Sequence, residues 1–200
     1  MLKGGPLRRL RWVISEGMRR YAMPAVISTV AVALLALLAF GIANSGTSSS
    51  IDGQVRSGHF PQAPGAQTAL PLLGSHGRES LAQLRGHVVM VNFFAGWCDA
   101  CQADANVVRS AQRLLARVGG TTLGVTFQDS SIDAASFMRR YHLRFPVLRD
   151  ANGGLASAYG VNGVPETFIV NPQGRIVALD REQLTSSWLK TLAHAISQAP

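Results

Sequence analysis

The most informative stretch of the chain is VMVNFFAGWCDACQAD, residues 89–104. With the two residues before it, its first part is a β-branched and aromatic run, residues 87–94, that predicts a buried central strand. From Cys98 onward the apolar residues recur at helical spacing until Gly119-Gly120 ends the predicted helix. The only two cysteines, Cys98 and Cys101, therefore lie where a buried strand turns into a helix.

This position of the cysteines favours redox chemistry. The free N–H groups and the dipole of a helix N-terminus favour negative charge, so we expect a lowered pKa and a reactive thiolate at Cys98. The three-residue spacing brings Cys101 within bonding distance of Cys98. We expect Cys98 to attack a substrate disulfide and Cys101 to resolve the mixed disulfide. The alternative is a pair of inert buried thiols.

Composition and cysteine usage argue against several classes of protein. A disulfide scaffold needs several spaced cysteines, and a zinc site needs more ligands, whereas none of the five histidines lies near the pair in sequence. We therefore predict no metal and no cofactor beyond a redox-active Cys98–Cys101 disulfide. The net charge is +8, but six basic residues and one acid precede Pro24, beside an apolar run. This pattern indicates membrane topology and not a nucleic-acid partner.

The apolar run is PAVISTVAVALLALLAFGIA, residues 24–43. No charged residue occurs between Arg20 and Asp52, and about twenty helical residues span roughly 30 Å, the thickness of a bilayer core. Because basic flanks stay in the cytoplasm, we predict a single-pass protein of the cell membrane with a cytoplasmic N-terminus and an extracytoplasmic catalytic domain. The alternative is a signal peptide cleaved near Gly41 and Ala43.

The sequence divides into four predicted parts. Residues 1–23 are a basic cytoplasmic leader, and residues 24–43 are the transmembrane anchor. Residues 44–63, rich in Ser, Gly and Pro, predict a flexible linker. Residues 64–200 alternate strand and helix patterns and close with a hairpin and a helix, which predicts an α/β domain with a mixed central sheet flanked by helices.

A second motif, GVPET at residues 163–167, opens the predicted hairpin strand. Proline is tolerated at the first residue of a strand, and Pro165 is a candidate for a cis peptide bond. An ordinary loop proline is the alternative.

Residues 89–104 and YGVNGVPETFIVNPQGR, residues 159–175, together resemble the thioredoxin superfamily. Within it they are most similar to the membrane-anchored TlpA, ResA and CcmG (DsbE) group. The resemblance implies a thioredoxin-like fold and a thiol:disulfide oxidoreductase. It also implies a cis peptide between Val164 and Pro165 against the cysteines, with the Val164 backbone pairing with an extended substrate. Trp97 is expected to shield Cys98, so Trp97, Val164 and Pro165 are the predicted substrate-binding residues.

Acidic residues near the cysteines indicate the direction of exchange. Asp99, Asp104 and Glu166 lie near the pair in sequence or by the resemblance. A nearby carboxylate raises the pKa of a thiol, and this makes the dithiol a better reductant. We therefore predict a protein-disulfide reductase in which Glu166 donates or accepts a proton near Cys101. Asp99 and Asp104 have a simpler interpretation as solvated residues or residues that complement the helix dipole.

The predicted partners follow from the resemblance. They are exported proteins with disulfides, including apocytochrome c, and a thiol electron donor in the membrane; we predict no nucleic-acid partner. Ala100 departs from the group, which usually has proline there, so the redox potential stays open. Three other functions stay open as well: a disulfide-forming oxidase, a peroxidase and a copper chaperone. Residues 92–97 lack the threonine and proline of a peroxidase, and the Cys-x-x-Cys spacing is one residue shorter than that of the copper chaperones.

Overall fold

The computed structural model describes residues 26–38 and 47–198, which belong to two separate units. In the first unit, residues 26–38 form a helix, α1, whose large apolar side chains are between 54% and 67% exposed. Over the residues described, no helix reaches the length and apolarity needed to cross a membrane. The predicted leader, residues 1–23, and both ends of the predicted anchor lie outside the described residues.

The second unit is an α/β domain built on a five-stranded mixed sheet. A short hairpin, β1 (Leu70–Pro71) and β2 (Arg78–Glu79), precedes the sheet. The five strands are β3 (Val89–Phe94), β4 (Thr121–Thr126), β5 (Val147–Leu148), β6 (Glu166–Val170) and β7 (Ile176–Asp180). Their spatial order is β5-β4-β3-β6-β7, with β3, β4 and β5 parallel and β6 and β7 antiparallel to their neighbours. The predicted mixed sheet is confirmed.

Helices cover both faces of this sheet. They are α2 (Thr47–Arg56), α3 (Asp99–Ala116), α4 (Ser131–Arg140), α5 (Gly154–Tyr159) and α6 (Trp188–Ser197), with a 3-10 turn at Leu81–Leu84. Buried residues of α3, α4 and α6 pack on one face, together with both cysteines. Buried residues of α2 and α5 pack on the other face. The architecture is therefore thioredoxin-like, with three layers: the sheet and a layer of helices on each of its faces.

Strand β3 is central because every one of its residues is buried. Successive side chains of a strand point to opposite faces, so one continuous apolar run can serve both layers. Met90 and Phe94 pack on the cysteine face, whereas Val91 and Phe93 pack on the opposite face. The end of β3 at Phe94 therefore delivers the chain directly to the cysteines on the first face.

The segment predicted as a flexible linker contains a folded helix. Helix α2 belongs to the same compact unit as the sheet. Ile51 is only 6% exposed, and Val55, one turn later, packs partly against the same core cluster. This four-residue spacing gives an otherwise polar, Ser-rich segment an apolar stripe that can dock. Residues 47–56 are thus part of the folded domain, where the composition predicted a linker.

Candidate active site

The cysteines form a disulfide at the start of α3. The Cα atoms of Cys98 and Cys101 are 5.2 Å apart. Cys98 is the N-cap residue of the helix, and its Sγ accepts a hydrogen bond of 3.0 Å from the backbone N–H of Cys101. Both residues are buried, with 4% and 3% exposure. One of the free N–H groups of the helix N-terminus thus points at Cys98 Sγ, where it favours a negative charge on the sulfur.

The loop before β6 contacts this disulfide. The Val164–Pro165 peptide is cis, as the resemblance implied. The carbonyl oxygen of Val164 lies 3.4 Å from Cys98 Sγ. A disulfide sulfur has no proton, so this is a contact in the oxidised state; in the dithiol state the Cys98 S–H can donate to the same oxygen. The structure therefore brings the second motif to the cysteines.

Trp97 lies on the surface beside the disulfide. Its side chain is 56% exposed, and its indole N–H donates to the carbonyl oxygen of Gln128 at 3.1 Å. A large, exposed aromatic ring next to a reactive sulfur is available to a docking substrate.

Glu166 lies on the other face of the sheet from the cysteines. It is two residues from Phe168 on β6, and Phe168 packs in the core cluster opposite the disulfide. The Glu166 carboxylate accepts hydrogen bonds from the Arg181 guanidinium and, at 3.3 Å, from the backbone N–H of Asn162. Burial raises the pKa of Glu166 although the ion pair with Arg181 opposes this. These contacts indicate a structural role for Glu166, which binds the backbone of the loop that contains Val164.

Arg181 connects this carboxylate to the N-terminal helix of the domain. Its Nε lies 3.1 Å from the Asp52 carboxylate in α2. The guanidinium also donates to the carbonyl oxygens of Tyr159 and Gly160, each at 3.3 Å. One cation therefore ties together α2, the end of α5, β6 and β7.

Asp104 is buried, whereas the simplest interpretation of the sequence was that solvent surrounds it. It is only 1% exposed, and its Oδ2 accepts a hydrogen bond of 3.0 Å from the backbone N–H of Leu184. Its Oδ1 has no hydrogen-bond partner in the described part of the chain. Burial raises the pKa of Asp104 to about 6, opposed by the Leu184 N–H and reinforced by Asp180. The signal in the sequence was its place three residues after Cys101, on the apolar stripe of α3.

Sequence reasoning missed Asp129 at the site. Its Oδ2 accepts a hydrogen bond of 2.7 Å from the backbone N–H of Gly96, two residues before Cys98. Asp129 lies in a loop after β4, and only the parallel pairing of β3 with β4 brings it to the cysteines.

Within the described ranges, no group of three His, Cys, Asp or Glu side chains is placed to hold a metal ion.

The fold and this site define a thioredoxin-like protein with a Cys-x-x-Cys redox pair. The chain belongs to the AhpC/TSA family, whose model matches residues 63–179. It is 30% identical over 112 residues to the thiol-disulfide oxidoreductase ResA of Bacillus subtilis, covering 56% of this chain and 63% of that protein. It is 33% identical over 104 residues to the thiol:disulfide interchange protein DsbE of Pseudomonas fluorescens biotype C, covering 50% of this chain and 56% of that protein. The predicted resemblance is confirmed.

Solved structures show the same fold. A secreted thiol-disulfide isomerase from Corynebacterium glutamicum matches 70% of this chain and 86% of its own at 22% identity, with a TM-score of 0.60. A DsbF homologue from Corynebacterium diphtheriae matches 69% of this chain and 88% of its own at 22% identity, also with a TM-score of 0.60. The chain spans less than two thirds of the length of the ResA and DsbE relatives above.

Proposed function

We propose that this protein is a thiol:disulfide oxidoreductase that reduces disulfides in other proteins. One observation carries the proposal: a Cys-x-x-Cys disulfide at a helix N-terminus, with Cys98 Sγ 3.4 Å from the Val164 carbonyl oxygen. The names of the ResA and DsbE relatives support it. Helix N-termini lower the pKa of a cysteine, which favours the thiolate that such an exchange needs.

The proposed reaction is a two-step exchange. The Cys98 thiolate attacks one sulfur of a substrate disulfide, forms a mixed disulfide and releases one substrate thiolate, which takes up a proton. Cys101 then loses its proton and attacks Cys98 Sγ. This forms the Cys98–Cys101 disulfide and releases the second substrate thiolate, which is protonated in turn. Two electrons and two protons move from the enzyme dithiol to the substrate, and a second dithiol donor must return them.

The proposal includes a location and partners. The apolar run of residues 24–43, the basic leader before it and the exposed apolar side chains of α1 support a single-pass anchor in the cell membrane with an extracytoplasmic domain. The substrates would be exported proteins with disulfides, apocytochrome c among them, and the electron donor a thiol protein of the membrane. These partners rest on the resemblance to the TlpA, ResA and CcmG group.

Three residues around the disulfide are proposed to bind substrate. Val164 and Pro165 belong to the loop that contacts Cys98, and Trp97, the residue before Cys98, has an exposed ring. The proton-transfer role predicted for Glu166 stays a prediction. Its carboxylate is paired with Arg181, on the face of the sheet opposite the cysteines.

Reduction of a protein disulfide by the full-length chain tests the proposed function. The purified protein in detergent micelles is reduced, freed of reductant and mixed with insulin. Wild type should release insulin thiols in proportion to its dithiol, and Cys98→Ser should release none. Cys101→Ser should instead accumulate a mixed disulfide between Cys98 and insulin that dithiothreitol reduces. Peroxide consumption that is faster than insulin reduction would favour the peroxidase, and no reaction with insulin would contradict the proposal.

A further inference from the structure

The loop after β4 holds the turn that contains Cys98. The backbone of Gln128 has a φ of 45°, in the left-handed region that few residues other than glycine adopt. Its carbonyl oxygen accepts the indole N–H of Trp97 at 3.1 Å. Next to it, Asp129 Oδ2 accepts the backbone N–H of Gly96 at 2.7 Å. Two hydrogen bonds therefore fix this loop to the two residues that immediately precede Cys98.

The same turn also packs closely against helix α4 at Gly96. A Cβ atom at Gly96 would lie 2.7 Å from the backbone carbon and oxygen of Asp133, in the first turn of α4. Real Cβ atoms do not come this close to backbone. The turn is thus pressed against α4 while Asp129 bonds its N–H group, so the Asp129 carboxylate has a fixed position relative to Cys98.

The surroundings of Asp129 disfavour a charge on its carboxylate, although the hydrogen bond from Gly96 holds that carboxylate in place. Its Oδ1 is buried and lacks a hydrogen-bond partner among the residues described. Burial raises the pKa of Asp129, and the backbone N–H groups of Gly96 and Ser130 oppose this. From α4 the Asp133 carboxylate also faces it and raises the pKa further. A partly buried carboxylate at this turn has a desolvation cost, and a use for its charge would account for that cost.

We propose that Asp129 is a positioning residue for Cys98, which holds the turn at Gly96 and places a fixed negative charge beside it. This inference rests on the proposed exchange at Cys98. A nearby carboxylate disfavours the thiolate, and a less stabilised thiolate makes the dithiol easier to oxidise. Asp129 thereby makes the reduced pair a stronger reductant, in opposition to the helix N-terminus.

Three variants of the full-length protein separate charge from structure. Asp129→Asn keeps a side-chain oxygen for the Gly96 N–H and removes the charge, whereas Asp129→Ala removes both. Asp133→Asn is the matched control, because it removes a charge whose carboxylate accepts a hydrogen bond from the Ser130 hydroxyl and not from Gly96. The first readout is the equilibrium in which the enzyme dithiol and glutathione disulfide give the enzyme disulfide and two glutathione molecules. The second is the pH profile of Cys98 alkylation by iodoacetamide.

Asp129→Asn should lower this equilibrium constant at least about threefold, a shift of about 14 mV towards a more oxidising potential. Its alkylation profile should move to lower pH. Asp129→Ala should do the same and also melt at a lower temperature, while Asp133→Asn should change both readouts by less than half as much. If Asp129→Asn matches wild type in both readouts and Asp129→Ala changes only the melting temperature, the inference is wrong. Failure of insulin reduction alone would count against the proposed function, because glutathione exchange needs no protein substrate.

Discussion

The sulfur of Cys98 lies 3.4 Å from the carbonyl oxygen of Val164, although 66 positions separate the two residues in the chain. This oxygen can accept the S–H of the Cys98 thiol, but it repels a thiolate. A hydrogen bond to the neutral form of an acid disfavours its charged form. The Val164 carbonyl therefore opposes the N–H of Cys101, which favours the thiolate. Of these two contacts, the one with the Val164 carbonyl is the one that favours a reducing pair.

Glu166→Gln separates a structural role of this residue from proton transfer. The Glu166 carboxylate is paired with Arg181 on the face away from the cysteines. We expect a loss of about 1–2 kcal/mol in the free energy of unfolding, since a charge-assisted hydrogen bond becomes a neutral one. The Cys98 alkylation profile and the rate of insulin reduction should stay within about twofold of wild type. A shifted profile together with slower exchange would instead establish the proton-transfer role predicted from the sequence.

Arg181→Met tests the buried ion network behind the Val164 loop. The Glu166 side chain is only 7% exposed, so the variant leaves a carboxylate buried without its cation. We expect unfolding in urea at neutral pH to show a loss of about 2–4 kcal/mol. The loss should shrink as the pH falls, because burial raises the pKa of Glu166 and the protonated side chain no longer needs the cation. Arg113→Met is the control, because Arg113 is exposed and bonds only a neighbouring serine of its own helix among the described residues; an equal loss there would contradict the account.

Asp104 should make stability depend on pH. Burial raises the pKa of Asp104 from 3.8 to about 6, so between these values the folded state binds more protons than the unfolded state. The free energy of unfolding should therefore fall as the pH rises through this window, by up to about 1.4 kcal/mol per pH unit. Asp104→Asn should remove this part of the slope in urea titrations. The exposed Asp99→Asn should retain it, and an unchanged slope in Asp104→Asn would refute the assignment.

Ile51→Ala tests whether α2 is part of the folded domain. Ile51 is 6% exposed and packs in the core cluster on the face opposite the cysteines. We expect the variant to lose about 2–4 kcal/mol in the free energy of unfolding. Ile132→Ala is a matched control, because Ile132 is 77% exposed and the same substitution should cost less than about 0.5 kcal/mol. Equal and small losses in both variants would instead support the flexible linker predicted from the composition.

The local patterns of this sequence were sufficient for the redox centre. A short β-branched and aromatic run that ends where a helical pattern begins predicts a buried strand, so β3, α3 and the cysteine pair could be placed from their own residues. The contact of Val164 with Cys98 lies beyond such reasoning and came from the likeness of two motifs. The cis peptide was a candidate from the place of Pro165 at the start of a predicted strand, and the likeness then implied it.

Long-range pairing explains what the sequence did not show. Asp129 reaches Gly96 only because β4 lies parallel to β3, and Glu166 meets Arg181 only across the β6–β7 hairpin. In α2 the Ser-rich composition masks two apolar residues one turn apart, and their burial depends on a surface built by α5 and the sheet. Local composition has no access to either effect.

The redox potential of the Cys98–Cys101 pair tests the central claim most directly. The full-length protein in detergent is equilibrated with a thiol–disulfide buffer, and the fluorescence of Trp97, beside the disulfide, reports the oxidised fraction; Cys98→Ser provides the baseline. A reductase should have a potential at or below roughly −220 mV, towards the thioredoxin end of the known range. A potential near roughly −120 mV would mean that the pair forms disulfides, and it would contradict the proposed direction of exchange.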